Sequence, residues 1–230
     1  ETTGELAKRA LRRGWKNAIR DVLHIEPADL IAEWRAATEE TALSVIDGRQ
    51  PPEALGEKIF GEPGGLYLSP SLSPDGGTIA FLSRRDPFTM DLYLADAQTG
   101  KITKKLASSA TDEHFDSLRF IDSSGTWSPG GGSFAFVVDR RGDNAIAIAD
   151  IESGRIRRVI RVAEVGAIYQ TAWSPDGGRL ALSASSGGIT DLYLYDLESG
   201  RVDKLTDDAY AELHPAWSPD GRKIVFSTDR

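Results

Sequence analysis

Trp173-Ser174-Pro175-Asp176-Gly177 is the stretch on which the architecture turns. Proline presets φ for the second position of a type I turn, aspartate suits the third, and glycine accepts a left-handed backbone at the end. The same tetrapeptide returns as Ser73-Pro74-Asp75-Gly76 and Ser218-Pro219-Asp220-Gly221, with a weaker copy at Ser128-Pro129-Gly130-Gly131. Successive serines are 55, 46 and 44 residues apart. Trp127, Trp173 and Trp217 precede the serine in three copies, and Leu72 does so in the first. A β-prone run follows each turn, at residues 78–83, 133–138, 179–183 and 223–227. Each copy therefore reads as strand, tight turn, strand.

A second pair of strands completes three of the copies. Asp91-Leu92-Tyr93-Leu94-Ala95-Asp96, Ala145-Ile146-Ala147-Ile148-Ala149-Asp150 and Asp191-Leu192-Tyr193-Leu194-Tyr195-Asp196 occupy equivalent places. Glycine-ended turns follow at Gly100, Gly154 and Gly200, and a polar-edged strand closes each unit. Four strands in a unit of roughly 45 residues describe a propeller blade. The fold class expected is thus mainly β: blades of four antiparallel strands, behind a short α-helical segment. Three blades are complete, at about residues 67–107, 115–163 and 168–206, and a fourth supplies only a hairpin at 212–228.

The Trp-Ser-Pro-Asp-Gly turn, the Asp-Leu-Tyr strand and the Ser-Gly turn resemble the repeats of TolB-like β-propellers. Leu205-Thr206-Asp207-Asp208 ahead of His214-Pro215-Ala216-Trp217 is similar to that family's repeat joint. The resemblance covers about residues 56–230. It implies a protein-interaction module in an exported bacterial protein, periplasmic or secreted. It leaves function open, because one fold hosts many functions and such blades occur in translocation proteins and in peptidases.

The first 50 residues read differently. Leu6, Ala10, Leu11, Ala18, Ile19 and Val22 keep helical spacing over residues 5–23. A second helix is expected from Pro27, a good first-turn residue, to about Leu43. Lys8, Arg9, Arg12, Arg13, Lys16 and Arg20 crowd this region, and a charge run of this kind is usually a solvated face. The organisation expected is a helical segment at 1–50, the end of an upstream domain; a linker and outer closing strand at 51–66; and blades at 67–230. The head resembles the last helices of gluzincin-type zinc peptidase domains, but the family's His-Glu-x-x-His motif is absent. An alternative function follows from that resemblance: an accessory or gating propeller of a zinc metallopeptidase whose catalytic residues lie outside this chain. The start at Glu1 and the partial fourth blade lead us to expect a piece of a longer protein. The rest of that protein, or copies of the chain itself, would complete the ring.

Composition narrows the chemistry. The 230 residues carry 27 basic and 35 acidic side chains, for a net charge of −8, which disfavours general nucleic-acid binding. No apolar run reaches the ~20 residues that span a bilayer. There is no cysteine, so disulfides, thiolate nucleophiles and cysteine-ligated zinc are excluded. The three histidines have no zinc-ligand spacing, and neither a Gly-x-Ser-x-Gly elbow nor a phosphate-binding glycine loop is present. No catalytic residue, cofactor or metal is therefore assigned, and the chain is read as non-catalytic. Asp75, Asp176 and Asp220 belong to turns; Asp91 and Asp191 open third strands, where they are expected to cap loops or pair with neighbouring blades, with a calcium role as the alternative. The partner-contact candidates precede the inner strands, where loops of a rigid scaffold gather. They are His114, Asp116 and Arg119 in one blade, Tyr169 and Gln170 in the next, and Glu212 and His214 in the last. The insertion that lengthens the first serine-to-serine spacing, around residues 108–124, is the expected contact loop.

Overall fold

The computed structural model describes residues 2–46, 49–50, 52–61, 65–86, 89–108, 117–118, 125–140 and 142–230. They form two compact units, Glu1–Glu57 and Lys58–Arg230.

In the first unit, α1 (Thr2–Arg13) and α2 (Trp15–Leu23) pack together, followed by α3 (Pro27–Ile46) and the short α4 (Pro52–Leu55). The single helix expected over residues 5–23 is broken at Gly14, whose φ of 79° is open to glycine at little cost. The break lets α2 fold back, and Asp21 on α2 then meets Arg9 and Arg13 on α1 at 3.5 and 3.6 Å. His24 ends α2 in a left-handed conformation, with its N–H on the Arg20 carbonyl.

The second unit is a series of antiparallel meanders. β1 (Leu66–Leu72), β2 (Thr78–Asp86), β3 (Thr89–Asp96) and β4 (Ile102–Ser108) make the first blade in that order. In the second blade β7 (Ser133–Arg140), β8 (Asp143–Asp150) and β9 (Ile156–Ile160) follow an inner strand delivered in two pieces. These pieces are β5 (Ser117–Leu118) and β6 (Thr126–Trp127), and both pair with β7. Part of the extra length of the first spacing falls between them, nine residues from Leu118 to Trp127 against five from Ile168 to Trp173. β10 (Ala167–Trp173), β11 (Arg179–Ser186), β12 (Ile189–Asp196) and β13 (Val202–Lys204) form the third blade. β14 (Glu212–Trp217) and β15 (Ile224–Thr228) are the fourth hairpin.

Alternation along each strand gives every blade two apolar faces, so each needs a neighbour on both sides. Ala80, Leu82, Leu92 and Leu94 of the first blade pack on Trp127, Phe134 and Phe136 of the second. The opposite face of the second blade, with Val137, Ile146 and Ile148, packs on Leu180, Leu182 and Tyr193 of the third. The free face of the first blade, with Phe81 and Tyr93, is covered by Phe60 and Tyr67. The approach is so close that a Cβ at Gly100 would run into the Ile59 carbonyl.

One end of the blades consists of locked turns. Ser73 donates its hydroxyl to Asp75, which also accepts the Gly77 N–H, while the Ser73 oxygen accepts the Thr78 N–H at 2.9 Å. Ser174/Asp176 and Ser218/Asp220 repeat the arrangement. The proline of each turn lies beside the glycine of the next, within van der Waals reach of where a Cβ would stand: Pro74 by Gly131, Pro129 by Gly177 and Pro175 by Gly221. At the same end Asp96, Asp150 and Asp196 each accept a backbone N–H and a hydroxyl from Thr99, Ser153 or Ser199.

These bonds hold six carboxyls below the ordinary aspartate range. Asp75, Asp150, Asp176 and Asp220 are lowered chiefly by a serine hydroxyl, and Asp96 and Asp196 chiefly by a backbone N–H. A carboxyl depressed in the folded state adds stability above its unfolded pKa and loses it as pH falls through the folded one. The melting temperature should therefore be level near neutrality and decline below about pH 4. The triple variant Asp75→Asn, Asp176→Asn, Asp220→Asn should flatten that decline. An unchanged acid slope in thermal melts would place the loss elsewhere.

Candidate partner-binding face

The blades have two unlike ends. The locked turns occupy one. The other carries the tips joining second to third strands and the longer joints that lead from an outer strand to the next inner strand. Of the contact candidates named above, Tyr169, Gln170, Glu212 and His214 lie on inner strands, in the part that leads from this second end. His114, Asp116 and Arg119 lie outside the described residues. Tyr169, Gln170, Glu212 and His214 are described; Gln170, Glu212 and His214 take part in the seam between the third and fourth blades, with Tyr169 next to Gln170 on the inner strand.

The inner strands are bulged at equivalent places. Pairing shifts between Leu68 and Ser71, between Ile168 and Gln170, and between Leu213 and Ala216. Ser69 and His214 take positive φ at these bulges, at 49° and 55°, and each precedes a proline. A bulge re-aims the side chain it carries. His214 is thereby exposed, with Nδ1 3.0 Å from the Ser227 hydroxyl. Its backbone N–H is donated to the Gln170 side-chain carbonyl across the seam at 2.6 Å.

Gln170 and Glu212 are buried, and their hydrogen bonds are spent within the protein. The Glu212 backbone carbonyl accepts the Ser183 hydroxyl at 2.7 Å, and its carboxylate accepts the Thr206 hydroxyl at 2.9 Å. Thr206 in turn receives the Leu192 N–H and stands 3.4 Å from Asp191. Asp191 is fully buried and pairs with Lys204 at 2.9 Å. Hydrogen bonds to Asp207 and then to Asp191 push the lysine above its ordinary range, while burial raises the Tyr193 hydroxyl. This chain of polar groups was not legible from the residues singly. Its signal is a pair: Asp91 with Lys105 at 3.4 Å repeats it in the first blade. Among the described residues no three metal-ligating side chains converge.

Seams are also joined by cations. Lys104 on the outer strand of the first blade donates to the Ile151 carbonyl at 2.8 Å, and Arg158 on that of the second donates to the Leu197 carbonyl at 2.6 Å. Trp127 and Trp217 reach back to the preceding inner strand, at the Ser71 and Ala172 carbonyls. Trp173 differs: its indole N–H is donated to Gly177 in its own turn, and the ring is half-buried.

The TolB beta propeller domain family matches residues 119–230. No protein with a curated description matches the sequence. Among solved structures, TolB from Acinetobacter baumannii is similar at 26% identity and a TM-score of 0.60, over 78% of this chain and 40% of that one. A putative TolB from Agrobacterium tumefaciens is similar at 25% identity and 0.56, over 69% and 52%. Hydrazine synthase from Kuenenia stuttgartiensis, at 16% identity and 0.52 over 67% and 47%, shares the fold alone. The chain thus spans about half or less of the length of these structures. The four-stranded meanders, their locked turns and these likenesses agree: the blades are those of a β-propeller, similar to TolB propellers, and residues 119–230 match the TolB propeller domain family.

Proposed function

We propose that the chain is a non-catalytic protein-interaction module, part of a larger exported bacterial protein, and that it grips its partner at the jointed end of the blades. The observation that supports this reading most is the difference between the two ends. One is closed by tight turns whose polar groups bond one another. The other presents Tyr169 and the exposed His214 on bulged inner strands, with buried Gln170 and Glu212 holding the seam beneath them. Rigid strands carrying a few re-aimed side chains suit recognition, because little ordering entropy is lost on binding. The exported location is drawn from the likeness to TolB proteins.

Site-specific photo-crosslinking tests the reading. A benzophenone side chain at position 169 or 214 of the parent protein should trap the same protein partner. The same probe at position 176, in a locked turn at the other end, should trap none. Adducts from position 176 only, or from no position, would overturn it.

A further inference from the structure

The second blade departs from its neighbours at one place. In the first and third blades the register sets Lys105 opposite Tyr93 and Lys204 opposite Tyr193, next to Asp91 and Asp191. Ala147 pairs with Val159 in the second blade, and Ala145 stands where the aspartates stand. Both members of the ion pair have been replaced, by smaller apolar groups. A cavity of about 240 Å³ lies against them, lined by Arg140, Asp143, Asn144, Ala145, Val159 and Arg161.

Its walls are held in place. Asn144 donates to Asp139 and accepts the Ile168 N–H from the third blade at 2.9 Å. Arg161 pairs with Asp143, whereas Arg140 has no ion-pair partner among the described residues. The rim therefore carries one net positive charge above an aliphatic floor. Where the sibling blades hold a carboxylate and a cation on the sheet, this one has an apolar floor beneath Arg140 and the Arg161–Asp143 pair.

We propose that this cavity binds a carboxylate: the acidic side chain of a peptide segment, with its oxygens between Arg140 and Arg161 and its methylenes on Ala145 and Val159. Guanidinium groups suit this ligand because their forked donors match carboxylate geometry. The aliphatic floor gives the methylenes of the acid an apolar surface, while the exposed guanidiniums meet its charge. Neither Tyr169 nor His214 lines the cavity, so binding of the probe is read independently of the crosslinking result.

The test is methyl NMR on the full chain, with alanine and valine labelled. N-acetylglutamate α-amide should shift the Ala145 and Val159 methyls saturably. N-acetylglutamine amide, which lacks the charge, should bind at least tenfold more weakly. Arg140→Gln should weaken the glutamate probe by about tenfold. The pair Ala145→Asp with Val159→Lys, which rebuilds the sibling arrangement, should abolish binding. Should that protein fail to fold, Ala145→Leu fills the same space and should do likewise. Equal shifts from both probes, shifts that never saturate, or binding that survives in the filled cavity would overturn the proposal.

Discussion

Replacing Lys204 with valine is expected to lower the urea midpoint clearly, and adding Asp191→Ala in the same molecule should return most of the loss. The asymmetry comes from burial. The Asp191 side chain is 1% exposed and the Lys204 side chain 36%. Removing the lysine strands a carboxylate that water cannot reach. Removing the aspartate alone leaves a cation that still has Asp207 and solvent, so Asp191→Ala should cost less than Lys204→Val. The double variant reproduces what the second blade already contains, Ala145 and Val159. Urea unfolding of the two single variants and the double gives the cycle. Additive costs would mean that the two side chains do not act as a pair.

Trp127→Ala should be the next largest loss, about 3–5 kcal/mol. Its ring is buried edge-on against Phe134 at the seam of the first and second blades, and its N–H reaches the Ser71 carbonyl at 3.1 Å. Trp127→Phe keeps most of the packing but orphans that carbonyl, so about 1 kcal/mol is expected. Trp173→Ala should fall well below Trp127→Ala, because its half-buried ring bonds within its own turn. Blades contact only their neighbours and can unfold in steps, so amide exchange should accompany denaturation. Protection in β2 and β7 should drop first in Trp127→Ala; equal losses from the two alanine variants would contradict the seam geometry.

The blades were legible in the sequence because their determinants are local. Proline, aspartate and glycine within four residues specify a turn, and alternation on either side specifies the strands. The three Trp-Ser pairs look alike in sequence, yet the Trp127 and Trp217 indoles bond across a seam while the Trp173 indole bonds within its own turn. That difference depends on how two blades approach, which neighbouring residues do not encode. The helix break at Gly14 was hidden for a similar reason: apolar spacing continues across it, and glycine within a helical pattern is tolerated. In the candidate face, Gln170 and Glu212 read like loop residues. Whether a polar group near a bulge points outward or into the seam is decided by the register shift, as His214 and Gln170 show. The Asp191–Lys204 pair escaped because its members sit 13 residues apart and their first-blade counterparts, Asp91 and Lys105, sit 14 apart. A bulge in the outer strand absorbs the difference.

The proline set beside the following glycine recurs at each step of the array. Gene duplication that copied one repeat would inherit both halves of that joint, so a lengthened protein could accept the extra unit without redesign of this edge. Innovation is then free to accumulate at the other edge, where the copies have already drifted apart.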